Sequence, residues 1–360
     1  KSGMGQLFND LAMALAGHKQ GGPAKVAVIS SGFMGSINGT AVANVVGTGA
    51  FTIPLMKKIG YDKNFAGAVE ASASVGGQIL PPIMGASAFI MAETTGVSYG
   101  SIALAALLPA LLYYLGVIAQ VHFCAGRENL KGIPKADLPR VMEVLKERGH
   151  LLIPIIALVV LLFKSVPVSF AAFYTIVITI IVSSLRKSTR MSISDIFEAM
   201  ADGARQSLAV MVACAVVGII IGVVSLTSFG SVMTSSIMSI GAGSLMLTLV
   251  FTMLASMILG MGLPSIPAYI ITATMAAPAL ANFDIPVLVA HMFVFYFGLF
   301  ANITPPVALA AFAGAGIAGG DPMRTGFISL RLALAGFIVP FLFVYNPAMM
   351  MLDVTGLPMN

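Results

Sequence analysis

The chain of 360 residues is 58% apolar and only 9% charged, with a mean hydropathy of +0.98. Soluble domains carry roughly 25% charged residues, so the composition excludes a string of soluble domains and points to one all-α, multi-pass unit with a lipid bilayer as its solvent. The net charge of +5 and pI near 9.2 come from basic residues in short connections between apolar runs, which is a topology signal, and no nucleic acid is expected as a partner.

Residues 1–25 open on Lys1 with an amphipathic stretch over 6–17 and no signal-peptide pattern, and are expected to be the lead-in from a truncated N-terminal part. Residues 26–56 are predicted to form a re-entrant helical hairpin. Lys25 and Lys57 put both ends on one side, and the middle, Gly35-Ser36-Ile37-Asn38-Gly39-Thr40, is too polar for the centre of a span. Each arm of about 12–16 residues rises only ~18–24 Å, short of a hydrocarbon core of ~30 Å. Residues 65–95 read as a helix broken at Pro81-Pro82, and 102–124 as a span, which together make 26–124 a first repeat.

Residues 125–206 are expected to be scaffold: a short helical pair over 151–163 and 168–185 between basic loops. The loops 126–150 and 186–206 carry six and four Lys/Arg, which makes their side cytoplasmic. A span over 207–225 then exits, a Ser/Gly-rich connection over 225–244 stays outside, and a second hairpin over 245–280 turns at Gly260-Met261-Gly262-Leu263-Pro264. A second broken helix over 287–318, interrupted at Pro305-Pro306, and a last span over 327–345 complete a second repeat, 207–345, before a tail, 346–360. The connection 281–286 lacks Lys and Arg where its counterpart 57–63 is basic, so the two copies are expected to be inverted.

The repeat is visible residue by residue. Pro54 and Pro278, Gln78-Ile79 and Asn302-Ile303, Pro81-Pro82 and Pro305-Pro306, and Gly96 and Gly320 all stand 224 positions apart. Paired Gly/Pro-interrupted apolar segments in two halves of a membrane protein point to a transporter's binding site. Irregular backbone at membrane depth survives only inside protein or beside a wet cavity. Freed carbonyls suit a small hard cation, and helix N-termini suit a carboxylate.

The candidate cation ligands are Ser36, Asn38, Gly39 and Thr40 at the first tip and Gly76, Gly77, Gln78 and Pro81 at the first break. Gly260, Gly262 and Pro264 at the second tip, with Asn302, Thr304 and Pro305 at the second break, complete the set. Thr40, Asn44, Gln78, Pro82, Ser265, Asn302 and Pro306 are the candidate substrate contacts. The near absence of ionisable residues at these places favours Na⁺ over H⁺ as coupling ion.

Other polar residues are expected to have ordinary roles. Glu70 and Glu93 read as snorkelling or interfacial, His291 as a hydrogen-bonded packing residue, and the 23 methionines as core filler. Cys124 and Cys214 have no partner at ligand spacing. No P-loop, His-Glu-x-x-His or nucleophile elbow occurs, so neither an enzyme nor an ATP-driven motor is expected, and no cofactor beyond the coupling ion. An ion channel, or an H⁺-coupled carboxylate transporter of the same inverted-repeat fold, is the alternative reading.

The stretches 36–45, 77–86, 260–264 and 303–310 closely resemble the large membrane subunit of tripartite ATP-independent periplasmic (TRAP) transporters, and with 340–347 the chain looks like the TAXI-type fused permease. The family often has Ser-Gly-Ser at the first tip, where Asn38-Gly39-Thr40 stands here; Thr40 keeps a hydroxyl. The resemblance implies an ion-transporter-like fold and elevator-type, Na⁺-driven uptake of a small carboxylate, such as a dicarboxylate or a glutamate-like acid, across a bacterial or archaeal cytoplasmic membrane. It also implies a periplasmic TAXI-type substrate-binding protein and a small membrane subunit or its fused equivalent as partners, and sodium sites where hairpin tips meet broken helices.

Overall fold

The structure, a computed structural model, describes residues 2–241 and 243–352, and among these it is helical throughout with no strand. Helix α1 (Met4–Ala16) leads into α2 (Gly22–Asn38), which has Pro23 in its first turn, where a missing amide is harmless. Gly39, at φ 75, ends α2, and extended Thr40 starts α3 (Ala41–Ile59), so the two helices pack as a hairpin around a two-residue tip. Gly60, at φ 111, closes α3, and the Asp62 carboxylate accepts from the amides of Asn64 and Phe65 to start α4 (Lys63–Gly77).

Nearly every residue of α4 is buried. Its small residues let neighbouring backbones approach: a Cβ on Gly77 would lie 2.5 Å from the Gly35 Cα of α2, and one on Gly67 would lie 2.9 Å from the Gly314 carbonyl. The chain breaks after α4 through Pro81-Pro82, a cis peptide, and resumes as α5 (Ser87–Thr95) and α6 (Tyr99–Arg127), the latter capped by Ser98. The Tyr99 hydroxyl lies 2.7 Å from the Pro82 carbonyl and 2.6 Å from that of Ile83, tying the break to α6. Tyr99→Phe is expected to cost about 1–2 kcal/mol, read from thermal unfolding, because it leaves buried carbonyls without a donor.

Helices α7 (Val141–Arg148), α8 (Leu152–Phe163), α9 (Val168–Ser183) and α10 (Ile193–Leu226) follow. They leave rows of apolar side chains exposed, among them Ile156, Phe173, Ile181, Val212 and Ile219, as lipid-facing helices do. The expected start of a span at 207 is corrected here: α10 begins fourteen residues earlier, where Ser192 and Asp195 form a reciprocal capping box. The 225–244 connection is corrected too, because α11 (Phe229–Gly241) occupies most of it and packs Ile237 and Met233 inward. The basic loop 126–150 likewise holds α7.

The second copy comprises α12 (Leu245–Gly260), α13 (Ser265–Met275), α14 (Pro278–Ala281) and α15 (Val287–Phe300), a 3₁₀ turn at Ala301–Ile303, and α16 (Leu309–Ala318). Pro305-Pro306 is also cis. The backbone repeats the sequence offset: Met84 and Ala308 have φ 57 and 32, and Gly60 and Asp284 have φ 111 and 53. The expected single last span is instead two helices, α17 (Pro322–Leu332) and α18 (Leu334–Tyr345), bent by 41°. Ala333 separates the two helices, and Gly336, in the first turn of α18, meets the Phe300 ring with no room for a Cβ.

The two copies interlock. Helix α16, beyond the second break, packs on α3 and α4, whereas α5, beyond the first break, packs on α13 and α15. Lys57 closes one such contact by donating to the Ala318 carbonyl at 2.7 Å, so the first hairpin's base caps the negative end of α16. Lys57→Met is expected to lower stability by about 0.5–1.5 kcal/mol in chemical unfolding. Among the described residues, two helices, α6 and α10, are long and apolar enough to cross a membrane singly, and the α17/α18 pair is a third if counted as one.

Candidate functional site

Hairpin tips and helix breaks meet around one cleft of about 740 Å³. Asn38, Gly39 and Thr40 line it from the first tip, Gln78 from the first break, Pro264 and Ser265 from the second tip, and Asn302 from the second break. These residues come from sequence positions up to 264 apart, yet the Ser265 hydroxyl donates to the Gly39 carbonyl at 2.8 Å and the Gln78 amide nitrogen approaches the same oxygen at 3.3 Å. Gln78 is 1% exposed, and its side-chain oxygen has no hydrogen-bond partner in the protein. A buried amide oxygen left in this way is a ready ligand for a cation or a polar group entering the cleft.

The cleft combines opposite electrostatic ends of helices. The opening residues of α3 (Ala41, Val42), α13 (Ser265, Ile266) and α16 (Leu309), with the N-cap of α5 (Ala86), all line it. Four helix N-termini thus present amides and positive dipole ends to an anion. Asn38 ends α2, Gln78 follows α4 and Asn302 follows α15, so carbonyl ends border the same space. Among the described residues, no Asp, Glu, Lys, Arg or His lines it.

The remaining sequence candidates lie outside the lining. Ser36 donates back to the Phe33 carbonyl at 2.8 Å, and Thr304 to that of Phe300 at 2.8 Å. Gly76 faces the Tyr113 ring, Gly77 faces Gly35, and Gly260 faces the Gly298 backbone, so these glycines serve close helix packing. Gly262, at φ 74, shapes the second tip. Pro81, Pro82, Pro305 and Pro306 form the breaks without lining the cleft. Asn44 is buried one turn below the tip, where it donates to the Ser31 carbonyl at 2.9 Å and accepts from Asn38 at 3.1 Å.

Two features escaped sequence reasoning. Gln206, Ser207 and Val210 of α10 close one wall of the cleft, a contribution hidden when 186–206 is read as loop. Glu70, expected at an interface, is 0% exposed in the middle of α4. Hydroxyls of Ser31, Thr48, Thr52 and Ser74 surround its carboxyl and replace the water it gives up. The polar pairs Thr48/Thr52 and Glu70/Ser74, each at helical i,i+4 spacing within apolar helices, were the signal available for it. Glu93 is exposed, and His291 bonds the Tyr269 hydroxyl at 2.8 Å. Among the described residues, no cluster of His, Cys, Asp and Glu could hold a metal ion.

The family "Tripartite ATP-independent periplasmic transporter, DctM component" matches residues 1–356. The chain belongs to this TRAP transporter family. It is 24% identical over 352 residues to the 2,3-diketo-L-gulonate TRAP transporter large permease protein YiaN of Escherichia coli (strain K12), covering 95% of this chain and 80% of that one. Identity is 22% over 357 residues to the isethionate TRAP transporter permease protein DctMQ of Oleidesulfovibrio alaskensis, covering 97% of this chain and 55% of that protein. A putative TRAP transporter large permease protein of Haemophilus influenzae is 32% identical over 136 residues, 38% of this chain and 32% of that one. TRAP large permeases are membrane transporters and not enzymes, which places the cleft in a permease.

Proposed function

We propose that the chain is the transport unit of a Na⁺-coupled secondary carrier that takes up a small carboxylate across a bacterial inner membrane. The carrying observation is the cleft itself, where four helix N-termini and several neutral oxygens, the unpartnered Gln78 oxygen included, converge without an ionised side chain. The N-termini suit the substrate's carboxylate. Gln78, Asn302 and the hydroxyls of Thr40 and Ser265 are oxygen donors of the kind a small hard cation takes, and a cation beside an anion neutralises both. Relatives named for 2,3-diketo-L-gulonate, isethionate, sialic acid and C4-dicarboxylate support an organic acid as cargo.

In this reading a periplasmic substrate-binding protein, of TAXI type by the resemblance at 340–347, hands the acid to the cleft. A small membrane subunit, or a fused equivalent, covers part of the exposed apolar helices. The two hairpins and broken helices move together as an elevator against α6 and α8–α10, with the basic loops on the cytoplasmic side. Melting of the purified full-length protein in NaCl against equal choline chloride tests the cation half of this reading. Stabilisation that grows with Na⁺ concentration is expected, because a ligand that binds only the folded state raises its stability. Superimposable melts in the two salts would remove Na⁺ from the account.

A further inference from the structure

Glu70 is the one buried carboxyl among the described residues, and the cleft does not use it. Its four hydroxyl partners come from three helices: Ser31 of α2, Thr48 and Thr52 of α3, and Ser74 of α4 itself. The fold does not demand this cage. At the same offset in the second copy Glu70 becomes Val294, Ser31 becomes Ala255, Thr52 becomes Ala276 and Ser74 becomes Gly298, leaving only Thr48 matched, by Thr272. No carboxyl stands at that helix position in the second copy, so the carboxyl with its four hydroxyls is a feature of the first copy.

We propose that Glu70 is a proton-binding site whose occupancy is transmitted to the first hairpin tip through Ser74, Asn44 and Asn38. Carboxyl and hydroxyl oxygens lie at hydrogen-bonding separation, and each hydroxyl can either donate to the carboxylate or accept from the protonated carboxyl. Three of the hydroxyls have a second acceptor: Thr48 lies 2.7 Å from the Asn44 carbonyl, Thr52 lies 3.1 Å from that of Thr48, and Ser31 lies 2.9 Å from the Thr48 hydroxyl. With Glu70 ionised, the hydroxyl hydrogens turn to the carboxylate. When a proton binds, the carboxyl donates to Thr48 or Thr52, and that hydroxyl turns its own hydrogen to the Asn44 or Thr48 carbonyl. No atom beyond the proton is gained or lost, and the hydroxyl that accepts the new bond keeps an acceptor for its own hydrogen.

The route to the tip is continuous. Ser74 lies 3.3 Å from the Glu70 carboxyl, Asn44 donates to Ser74 at 3.0 Å, and Asn38, which lines the cleft, donates to Asn44 at 3.1 Å. Ser74 therefore bridges the carboxyl and the Asn44 amide, so a change of charge on the carboxyl reaches Asn44 through a single hydroxyl. Other charged and titratable groups on the elements around α4 are engaged elsewhere or lie at helix ends. Lys25 of α2 bonds His122 of α6, Lys57 of α3 caps α16, and Tyr113 and Tyr114 of α6 donate to the Ser72 and Ala73 carbonyls. Lys58 is exposed, as are Lys63 at the start of α4, Arg127 at the end of α6, and Asp321 and Arg324 at the start of α17. Arg331 lies in the last turn of α17, and no ion pair to Glu70 is formed among the described residues.

Infrared difference spectroscopy of the full-length protein in lipid, stepped through pH, reads the site without requiring transport. The expected result is a carboxylic-acid carbonyl band that appears reversibly on acidification, is lost in Glu70→Gln and is shifted in Glu70→Asp. Wild type and Glu70→Gln giving the same difference spectrum would overturn the proposal, and if Glu70→Gln does not fold, an unshifted band in Glu70→Asp does the same. Transmission is read from an environment-sensitive fluorophore on Val42→Cys at the tip. Its emission is expected to shift with pH, and the shift to be lost in Glu70→Gln and in Asn44→Ala; a shift indifferent to Glu70→Gln overturns the coupling. A titrating band in a protein that shows no Na⁺ effect would leave this site standing while the Na⁺ reading fell.

Discussion

Gly77→Ala is expected to cost about 3 kcal/mol or more, at or above the upper end of overpacking penalties, and to yield little monodisperse protein. The new methyl would sit 2.5 Å from the Gly35 Cα, 2.8 Å from the Gly35 carbonyl carbon and 3.1 Å from the Ser31 carbonyl oxygen. All three are backbone atoms of α2, so no side chain can swing aside, and α2 or α4 must move bodily. That movement would drag Gln78 away from the Gly39 carbonyl, coupling the packing defect to the cleft. Gly316→Ala is the matched control, because its Cβ would meet nothing within 4 Å, and it should melt within a degree or two of the wild type. Equal melting temperatures for Gly77→Ala and the wild type would mean that α2 and α4 do not touch as described.

Gln78→Met is expected to reduce uptake about tenfold or more, with melting in Na⁺-free buffer little changed. Methionine fills much the same space, but it removes both the donor to Gly39 and the free amide oxygen. Losing one ligand worth on the order of 1.4 kcal/mol corresponds to about tenfold in affinity. The Na⁺-dependent rise in melting temperature should shrink in the same variant. Initial rates of uptake into proteoliposomes, with melts in NaCl and choline chloride, check both; wild-type rates would place Gln78 outside the site.

The proline pairs made the breaks legible, and Gly39 and Gly60 marked helix ends because positive φ at those points favours glycine. Seven of the proposed contact residues meet in the cleft because tips and breaks are places where irregular backbone frees polar atoms at membrane depth. Sequence spacing does not separate a glycine that opens space for a ligand from one that opens space for a helix, so Gly76, Gly77 and Gly260 stand among the candidate ligands although each also fits close helix packing, and each faces a packing partner in the structure. Glu70 was misplaced because its compensation comes from Ser31, Thr48 and Thr52 on two other helices, a convergence that exists only in three dimensions. Residues 229–241 read as a connection for a related reason: the serines hide an apolar face that gains meaning only against α10 and α13.

The most direct measurement of the central claim is uptake of radiolabelled C4-dicarboxylates and glutamate by proteoliposomes containing the full-length protein, with its binding protein added and either a Na⁺ or a proton gradient imposed. The account predicts uptake that requires inward Na⁺ and collapses in Gln78→Met. Equal uptake in Na⁺-free buffer under a proton gradient alone would contradict it, and would move the coupling ion from the neutral oxygens of the cleft to Glu70.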